Sequence, residues 1–265
     1  YKTICNWELK LSDIDELEVS EILMSQKKQA NKLFSDFIEN NYEYLINNND
    51  FLSSINLFKN NIVPELSKGH PTLMILIDNL RYDQWKTIEP FVVEDYNIKK
   101  NIVYTSILPT TTQYCRNSIF SGLSPIDINK FHPNYWVNET DEGGKNKYED
   151  ELINEQFLRL GIKSNYKYHK ISNPKDGESF LNRMSNEKQN ELTVMVYNFV
   201  DMISHAKKDV KFIKELASND RAYRELTKGW FKNSKLNEII KKGKDLGFKI
   251  IITSDHGTIN VDKAT

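Results

Sequence analysis

The amino-acid sequence predicts an α/β fold with a mostly parallel sheet flanked by helices, preceded by a small helical bundle. Three short apolar runs rich in β-branched residues support this prediction, at residues 72–77, 193–200 and 248–253. Continuous runs of this kind are typical of strands that are buried on both faces of a parallel sheet. Helical patterns lie between them, at residues 204–216 and 236–246. The alternation of strands and helices indicates a layered α/β domain.

The first part of the chain has a different pattern. Residues 11–49 contain neither proline nor glycine, and apolar side chains recur there at helical spacing. Ser12 precedes two nearby aspartates, which is typical of a helix N-cap with an acidic first turn. The polar, glycine- and proline-containing cluster at residues 67–71 is typical of a domain boundary. We therefore expect a helical bundle or connector over residues 1–66 and a second domain over residues 71–265, whose C-terminal part continues beyond this sequence.

The composition excludes several classes of protein. The 265 residues include 36 Lys and Arg against 37 Asp and Glu, a formal net charge of −1, which excludes binding of nucleic acid by bulk positive charge. Hydrophobic residues make up 39% of the chain, too many for a disordered protein. No apolar run approaches the roughly 18 residues of a membrane helix. With only two cysteines, the chain is no disulfide scaffold, and we expect a cytoplasmic protein without a membrane partner.

Metal-ligand residues follow all three predicted strands. Asp78 follows the first, Asp201 and then His205 follow the second, and Asp255 and His256 follow the third. The carboxyl ends of parallel strands meet at one edge of a sheet, where ligand sites form. Each aspartate alone is equally typical of a turn or a helix N-cap. Together, carboxylates and imidazoles at three strand ends indicate a site for Zn²⁺ or Mn²⁺.

A threonine-rich loop lies between the first two strands. Pro109 is followed by three threonines, and the sequence predicts that this loop leads into a short helix that ends at Gly122. One interpretation is a plain loop that enters a helix. The other is a hydroxyl nucleophile at a helix start, where free N–H groups and the helix dipole favour a phosphate oxygen. The residue pattern alone does not distinguish Thr110, Thr111 and Thr112 as the nucleophile.

The order of motifs, which ends in DHG at residues 255–257, resembles the alkaline phosphatase superfamily of two-metal phosphoesterases. Three segments resemble its PglZ domain family in detail: IDNLRYDQW at residues 77–85, PTTTQYCRN at residues 109–117 and NFVDMISH at residues 198–205. The resemblance extends from about residue 71 to the end of the sequence. It implies an alkaline-phosphatase-like α/β fold, and it implies a function for each residue that matches a family motif.

The resemblance implies two metal sites. The residues of the first are Asp78, Thr112, Asp255 and His256, and Thr112 is the implied nucleophile because the family pattern is Pro-Thr-x-Thr. The second takes Asp201, His205 and a later histidine, which this sequence does not contain before Thr265. We expect two Zn²⁺ ions, with Mn²⁺ as an alternative. Arg116, one turn after Thr112, is expected either to bind the substrate phosphate or to form a structural salt bridge.

The segments are similar to those of response regulators that control the bacterial type IX secretion system. This implies a metal-dependent phosphodiesterase that hydrolyses cyclic or short linear oligonucleotides, as the output domain of such a regulator. It also implies a receiver domain before Tyr1, through which a sensor histidine kinase and other secretion regulators act, and a possible homodimer. Two alternatives stay open: a metal-stabilised signalling module that binds partners without turnover, and a monoester phosphatase.

Overall fold

A parallel sheet organises the molecule. The computed structural model describes residues 1–11, 17–66, 69–198 and 219–259. Within these ranges four strands have the spatial order β2-β3-β1-β4, and every neighbouring pair is parallel. The strands are β1 Thr72–Ile77, β2 Tyr166–Ile171, β3 Leu192–Tyr197 and β4 Lys249–Thr253. The predicted α/β fold with a parallel sheet is therefore confirmed, and the three predicted strands correspond to β1, β3 and β4.

Nine α-helices lie in the described ranges. They are α1 Lys2–Leu11, α2 Leu17–Asn47, α3 Tyr82–Val93, α4 Thr112–Ser121, α5 Pro125–Phe131, α6 Glu149–Leu160, α7 Pro174–Arg183, α8 Asp220–Asn233 and α9 Lys235–Asp245. Among them, none combines the length and the apolar character that a bilayer-crossing helix requires. The predicted helix at residues 236–246 corresponds to α9, whereas Ser12 and the predicted helix at residues 204–216 lie outside the described residues.

The two faces of the sheet carry separate hydrophobic cores. Alternate residues of β1 point to opposite faces, so Leu73 and Ile75 pack with side chains of α3, α8 and α9, while Met74 and Leu76 pack with side chains of α4 and α6. All six residues of β1 are buried. This explains the unbroken apolar run in the sequence, because no position of the strand faces solvent.

The segment after α2 also packs on the sheet. Leu57, Phe58 and Ile62 are buried in the same core as Met74 and Leu76. These apolar side chains pack against the sheet domain, although the sequence analysis assigned the segment to the N-terminal helical region. The long helix α2 is therefore joined to the sheet by a short, buried stretch of chain.

Strand β2 is not predicted by the sequence analysis. Its sequence is YKYHKI, and only its last residue is fully buried. It pairs with β3 alone among the described strands, so one of its edges and part of its surface stay polar. A half-exposed strand with two lysines lacks the continuous apolar run by which β1, β3 and β4 are recognised.

Shortening a leucine of β1 tests the position of the core. Leu76→Ala removes a side chain that is 0% exposed, and we expect it to lower the free energy of unfolding by about 2–5 kcal/mol in urea denaturation. The matched control is Leu158→Ala on α6, whose side chain is 65% exposed and whose loss costs about 0.5 kcal/mol or less. Equal effects of the two changes would show that β1 is not in the core.

Candidate metal centre and nucleophile loop

Asp78 and Asp255 lie side by side at the carboxyl end of the sheet. Asp78 directly follows β1, and Asp255 lies two residues after the neighbouring strand β4. Both side chains are buried, at 1% and 0% exposure. The Nε2 atom of His256 lies 3.8 Å from Asp78 Oδ1 and 4.0 Å from Asp255 Oδ1. Potential ligand atoms of these three residues all lie within 4.8 Å of one another, which is close enough for one metal ion to bind all three.

The threonine loop brings one hydroxyl to this cluster. Helix α4 begins at Thr112, with Thr111 as its N-cap, and ends at Gly122 in the left-handed conformation (φ 64°). Thr112 Oγ1 lies 3.0 Å from His256 Nε2 and donates a long hydrogen bond of 3.4 Å to Asp78 Oδ1. Thr110 and Thr111 are exposed. Among the three candidate hydroxyls, the structure brings that of Thr112 into contact with Asp78 and His256.

Arg116 lies one helical turn after Thr112 and is 1% exposed. Its Nη2 atom lies 2.6 Å from Asp78 Oδ2 and 2.8 Å from Asp255 Oδ2, and its Nε donates to Asp255 Oδ2 over 2.9 Å. The guanidinium therefore holds both carboxylates by their Oδ2 atoms. The structure places Arg116 in the salt-bridge arrangement that the sequence analysis left open, and its contact with a substrate phosphate stays a prediction.

A third buried carboxylate contacts the same arginine. Glu149, the first residue of α6, lies 3.4 Å from Arg116 Nη1 and also accepts hydrogen bonds from Tyr168 and Lys170 of β2. Sequence reasoning missed this glutamate, because it belongs to no metal-ligand motif. The alternation of Tyr166, Tyr168 and Lys170 on one face of β2 is the signal that could have indicated a polar network there.

Backbone groups fix the orientation of Asp255. Its Oδ1 atom accepts hydrogen bonds from the N–H groups of Asn79 (3.1 Å) and His256 (2.9 Å). Asn79 has a positive φ of 57°, a conformation that asparagine tolerates better than most residues. Burial alone raises the pKa of the Asp255 carboxyl, but Arg116, His256 and the Asn79 N–H outweigh burial and hold the pKa below its ordinary value. Asp255 is therefore ionised at neutral pH.

The remaining predicted ligands, Asp201 and His205, lie outside the described residues. Strand β3 itself ends beside the cluster, since its last residue, Tyr197, pairs with Ile77 and the Tyr197 carbonyl accepts the N–H of Asp78 over 3.0 Å. Their part in a second metal site stays a prediction.

An Arg116→Met variant tests the buried ion pairs. Three buried carboxylates lose a shared cation, so we expect about 3–5 kcal/mol less free energy of unfolding at neutral pH in urea denaturation with EDTA. The matched control is Arg183→Met, because Arg183 is exposed and its side chain bonds only to Ser179 of its own helix among the described residues. Equal losses in the two variants would contradict the ion-pair account.

We expect Arg116→Met also to reverse the pH dependence of the free energy of unfolding. In the unaltered protein the lowered pKa of Asp255 contributes stability that is present above the unfolded pKa of about 3.9 and is lost as the pH falls through the lowered value. Arg116→Met removes the largest of the groups that lower this pKa and leaves His256 and the Asn79 N–H to oppose burial. We therefore expect burial to raise the pKa of Asp255 in the variant, and its stability to fall as the pH rises from about 4 to about 7. Arg116→Lys keeps the charge and should show no such reversal. A Met variant that gains stability over this range would contradict the assignment.

Two family models match the chain. A family model described as the BREX system PglZ alkaline phosphatase-like domain matches residues 57–265. A second, described as the PorX response regulator linker domain, matches residues 1–46. No curated protein matches the chain. The first match covers most of the sequence and includes every residue of the cluster around Asp78 and Asp255, so the chain belongs to the PglZ family of alkaline-phosphatase-like domains.

Proposed function

We propose that this protein is a metal-dependent phosphodiesterase in which Thr112 is the nucleophile. The observation that supports the proposal is the position of the Thr112 hydroxyl, 3.0 Å from His256 Nε2 and 3.4 Å from Asp78 Oδ1, at the edge of a cluster of three metal-ligand side chains. The substrate we propose is a cyclic or short linear oligonucleotide. Membership of the alkaline-phosphatase-like family suggests that the protein is a phosphoesterase.

The donor set fits Zn²⁺. Carboxylate oxygens and an imidazole nitrogen are ligands of Zn²⁺ and also of Mn²⁺. Arg116 binds the Oδ2 atoms of the two aspartates, and the Oδ1 atoms are those nearest to His256. Asp78, Asp255, His256 and the Thr112 hydroxyl would hold the first ion. We propose Asp201 and His205 as ligands of a second ion, on the basis of the family motif.

The chemistry is a two-step displacement at phosphorus. A bound divalent cation lowers the pKa of a hydroxyl that it contacts and offsets charge on the phosphate. Thr112 gives up its hydroxyl proton, and Oγ1 forms a bond to phosphorus as the bond to the leaving oxygen breaks; that oxygen takes the electron pair and then a proton. Water then attacks the same phosphorus, the bond to Oγ1 breaks, and a proton from the water restores the Thr112 hydroxyl as a phosphomonoester is released. Helix α4 begins at Thr112, so its N-terminal N–H groups favour the negative charge of the phosphate.

The N-terminal match suggests the biological setting. Residues 1–46 are similar to the PorX response regulator linker domain, so we propose that the chain is the output part of a response regulator of type IX secretion. In this setting a receiver domain precedes the linker and a sensor histidine kinase phosphorylates it. Homodimer formation and contacts with other secretion regulators are further parts of the proposal.

Thr112→Val in the full-length protein tests the nucleophile. Because valine keeps the shape but has no hydroxyl, we expect hydrolysis of bis(p-nitrophenyl) phosphate with Zn²⁺ to fall by roughly 10³-fold or more. Zn²⁺ should still raise the melting temperature of the variant, since two aspartates and a histidine are unchanged. Thr111→Val is the matched control and should keep full activity. Full activity of the Thr112 variant would disprove the assignment.

The substrate class is tested by comparing a diester with a monoester. We expect Zn²⁺-dependent hydrolysis of bis(p-nitrophenyl) phosphate to exceed that of p-nitrophenyl phosphate, and EDTA to abolish it. A preference for the monoester would instead indicate a phosphatase. If Zn²⁺ raises the melting temperature but neither compound is hydrolysed, the protein is a metal-stabilised signalling module and the phosphodiesterase proposal is wrong.

A further inference from the structure

Helix α2, here called the linker helix because it lies in the region similar to the response regulator linker domain, contacts the loop that carries Thr112. Tyr42 lies near the C-terminal end of α2 and is half-buried. Its hydroxyl oxygen accepts a hydrogen bond from the backbone N–H of Leu108, with an N···O distance of 2.6 Å. Leu108 lies only four residues before Thr112, and its own side chain is 50% exposed. The apolar side chain of Leu108 therefore does little to fix this part of the loop.

The stretch of chain that follows α2 holds the residues just before Leu108. The N–H of Ser54 donates to the carbonyl of Thr105 over 3.1 Å, and the N–H of Thr105 donates to the carbonyl of Leu52 over 3.1 Å. The N–H of Ile107 donates to Ser54 Oγ over 3.2 Å. These bonds include an isolated parallel bridge between Ser53 and Thr105, so the loop is attached at Thr105 and Ile107 to the chain that follows α2.

The same loop residues contact the metal-ligand cluster. Ser106 Oγ donates to the backbone carbonyl of Asp255 over 2.9 Å, and Tyr104 Oη donates to that carbonyl over 3.2 Å. Tyr104 also hydrogen-bonds the carbonyl of Ser254. The segment at residues 104–108 thus contacts α2 and the chain that follows it on one side and Asp255 on the other. It leads directly to Thr112.

The position of this loop matters more for reactivity than for stability. A single hydrogen bond contributes little to the free energy of folding. An attacking hydroxyl, in contrast, must lie within a few tenths of an ångström of its reactive position, and a displacement of about 1 Å can cost roughly 100-fold in rate. The contact between Tyr42 and Leu108 acts at the base of the loop that sets this position.

We propose that Tyr42 is a positioning residue that the linker helix supplies to the phosphoesterase domain, so that displacement of α2 changes the reactivity of Thr112. The inference rests on the proposed function of Thr112 and extends it to regulation. In a response regulator, a change at the linker would then reach the nucleophile through Tyr42 and the chain between Leu52 and Ser54. No contact between the linker and the substrate is needed.

Tyr42→Phe in the full-length protein removes only the hydroxyl and keeps the ring. The matched control is Tyr44→Phe, since Tyr44 is on the same helix, is 67% exposed and bonds through its hydroxyl to Asn48. We expect faster hydrogen exchange over residues 104–112 in the Tyr42 variant alone, measured by mass spectrometry. We also expect its kcat for the diester to fall roughly 10-fold or more, with KM within twofold and an unchanged melting-temperature rise on Zn²⁺ addition.

Unchanged hydrogen exchange over residues 104–112 would overturn the proposal, because the hydroxyl would not hold the loop. Faster exchange with unchanged kcat would also overturn it, because the contact would then not position Thr112. A change of the same size in the Tyr44 variant would show a general effect on α2 and count against Tyr42. Failure of the proposed function can be distinguished from failure of this inference. In the first case the unaltered protein would hydrolyse neither the diester nor the monoester, while the comparison of hydrogen exchange between the Tyr42 and Tyr44 variants would still report on the contact with Leu108.

Discussion

The paired ion contacts of Arg116 with Asp78 and Asp255 are the constraint on which the site depends. Two carboxylates buried at 1% and 0% exposure would repel each other and lose hydration, and a single guanidinium offsets both effects. Its planar fork binds the Oδ2 atoms of both residues. Because Arg116 and Thr112 lie on one turn of α4, the ion pair also fixes the helix that carries the nucleophile.

The sheet supplies the rest of the geometry. Strands β1 and β4 are neighbours and parallel, so residues that follow them arrive at one edge. The turn after β1 bends back through Asn79, whose N–H donates to Asp255. Helix α4 packs in the core that contains Met74 and Leu76 and begins at this edge of the sheet. Helix α6 supplies Glu149, which contacts Arg116. Local turn conformation and buried charge therefore act together to place three ligand side chains near one hydroxyl.

The parts of the molecule that the sequence predicts are those with a local signal. Strands β1, β3 and β4 have continuous apolar runs. Asp78 and Asp255 lie in motifs that follow β1 and β4, and Thr112 lies in the threonine motif at the start of α4. Contacts between distant residues leave no such signal. Glu149 lies 33 residues from Arg116 and Tyr42 lies 66 residues from Leu108, and nothing in either local sequence pairs them. Strand β2 was missed because its exposed edge permits a polar, lysine-containing sequence.

The most direct test of the account is to identify the residue that becomes covalently modified during turnover. Full-length protein with Zn²⁺ is mixed with a diester, quenched in acid within the first turnover, and digested for mass spectrometry. The account predicts a phosphoryl adduct on Thr112, carried by the peptide that contains residues 109–116, and no adduct on Thr110 or Thr111. An adduct on a different residue, or turnover with none, would contradict the claim that the metal centre activates Thr112.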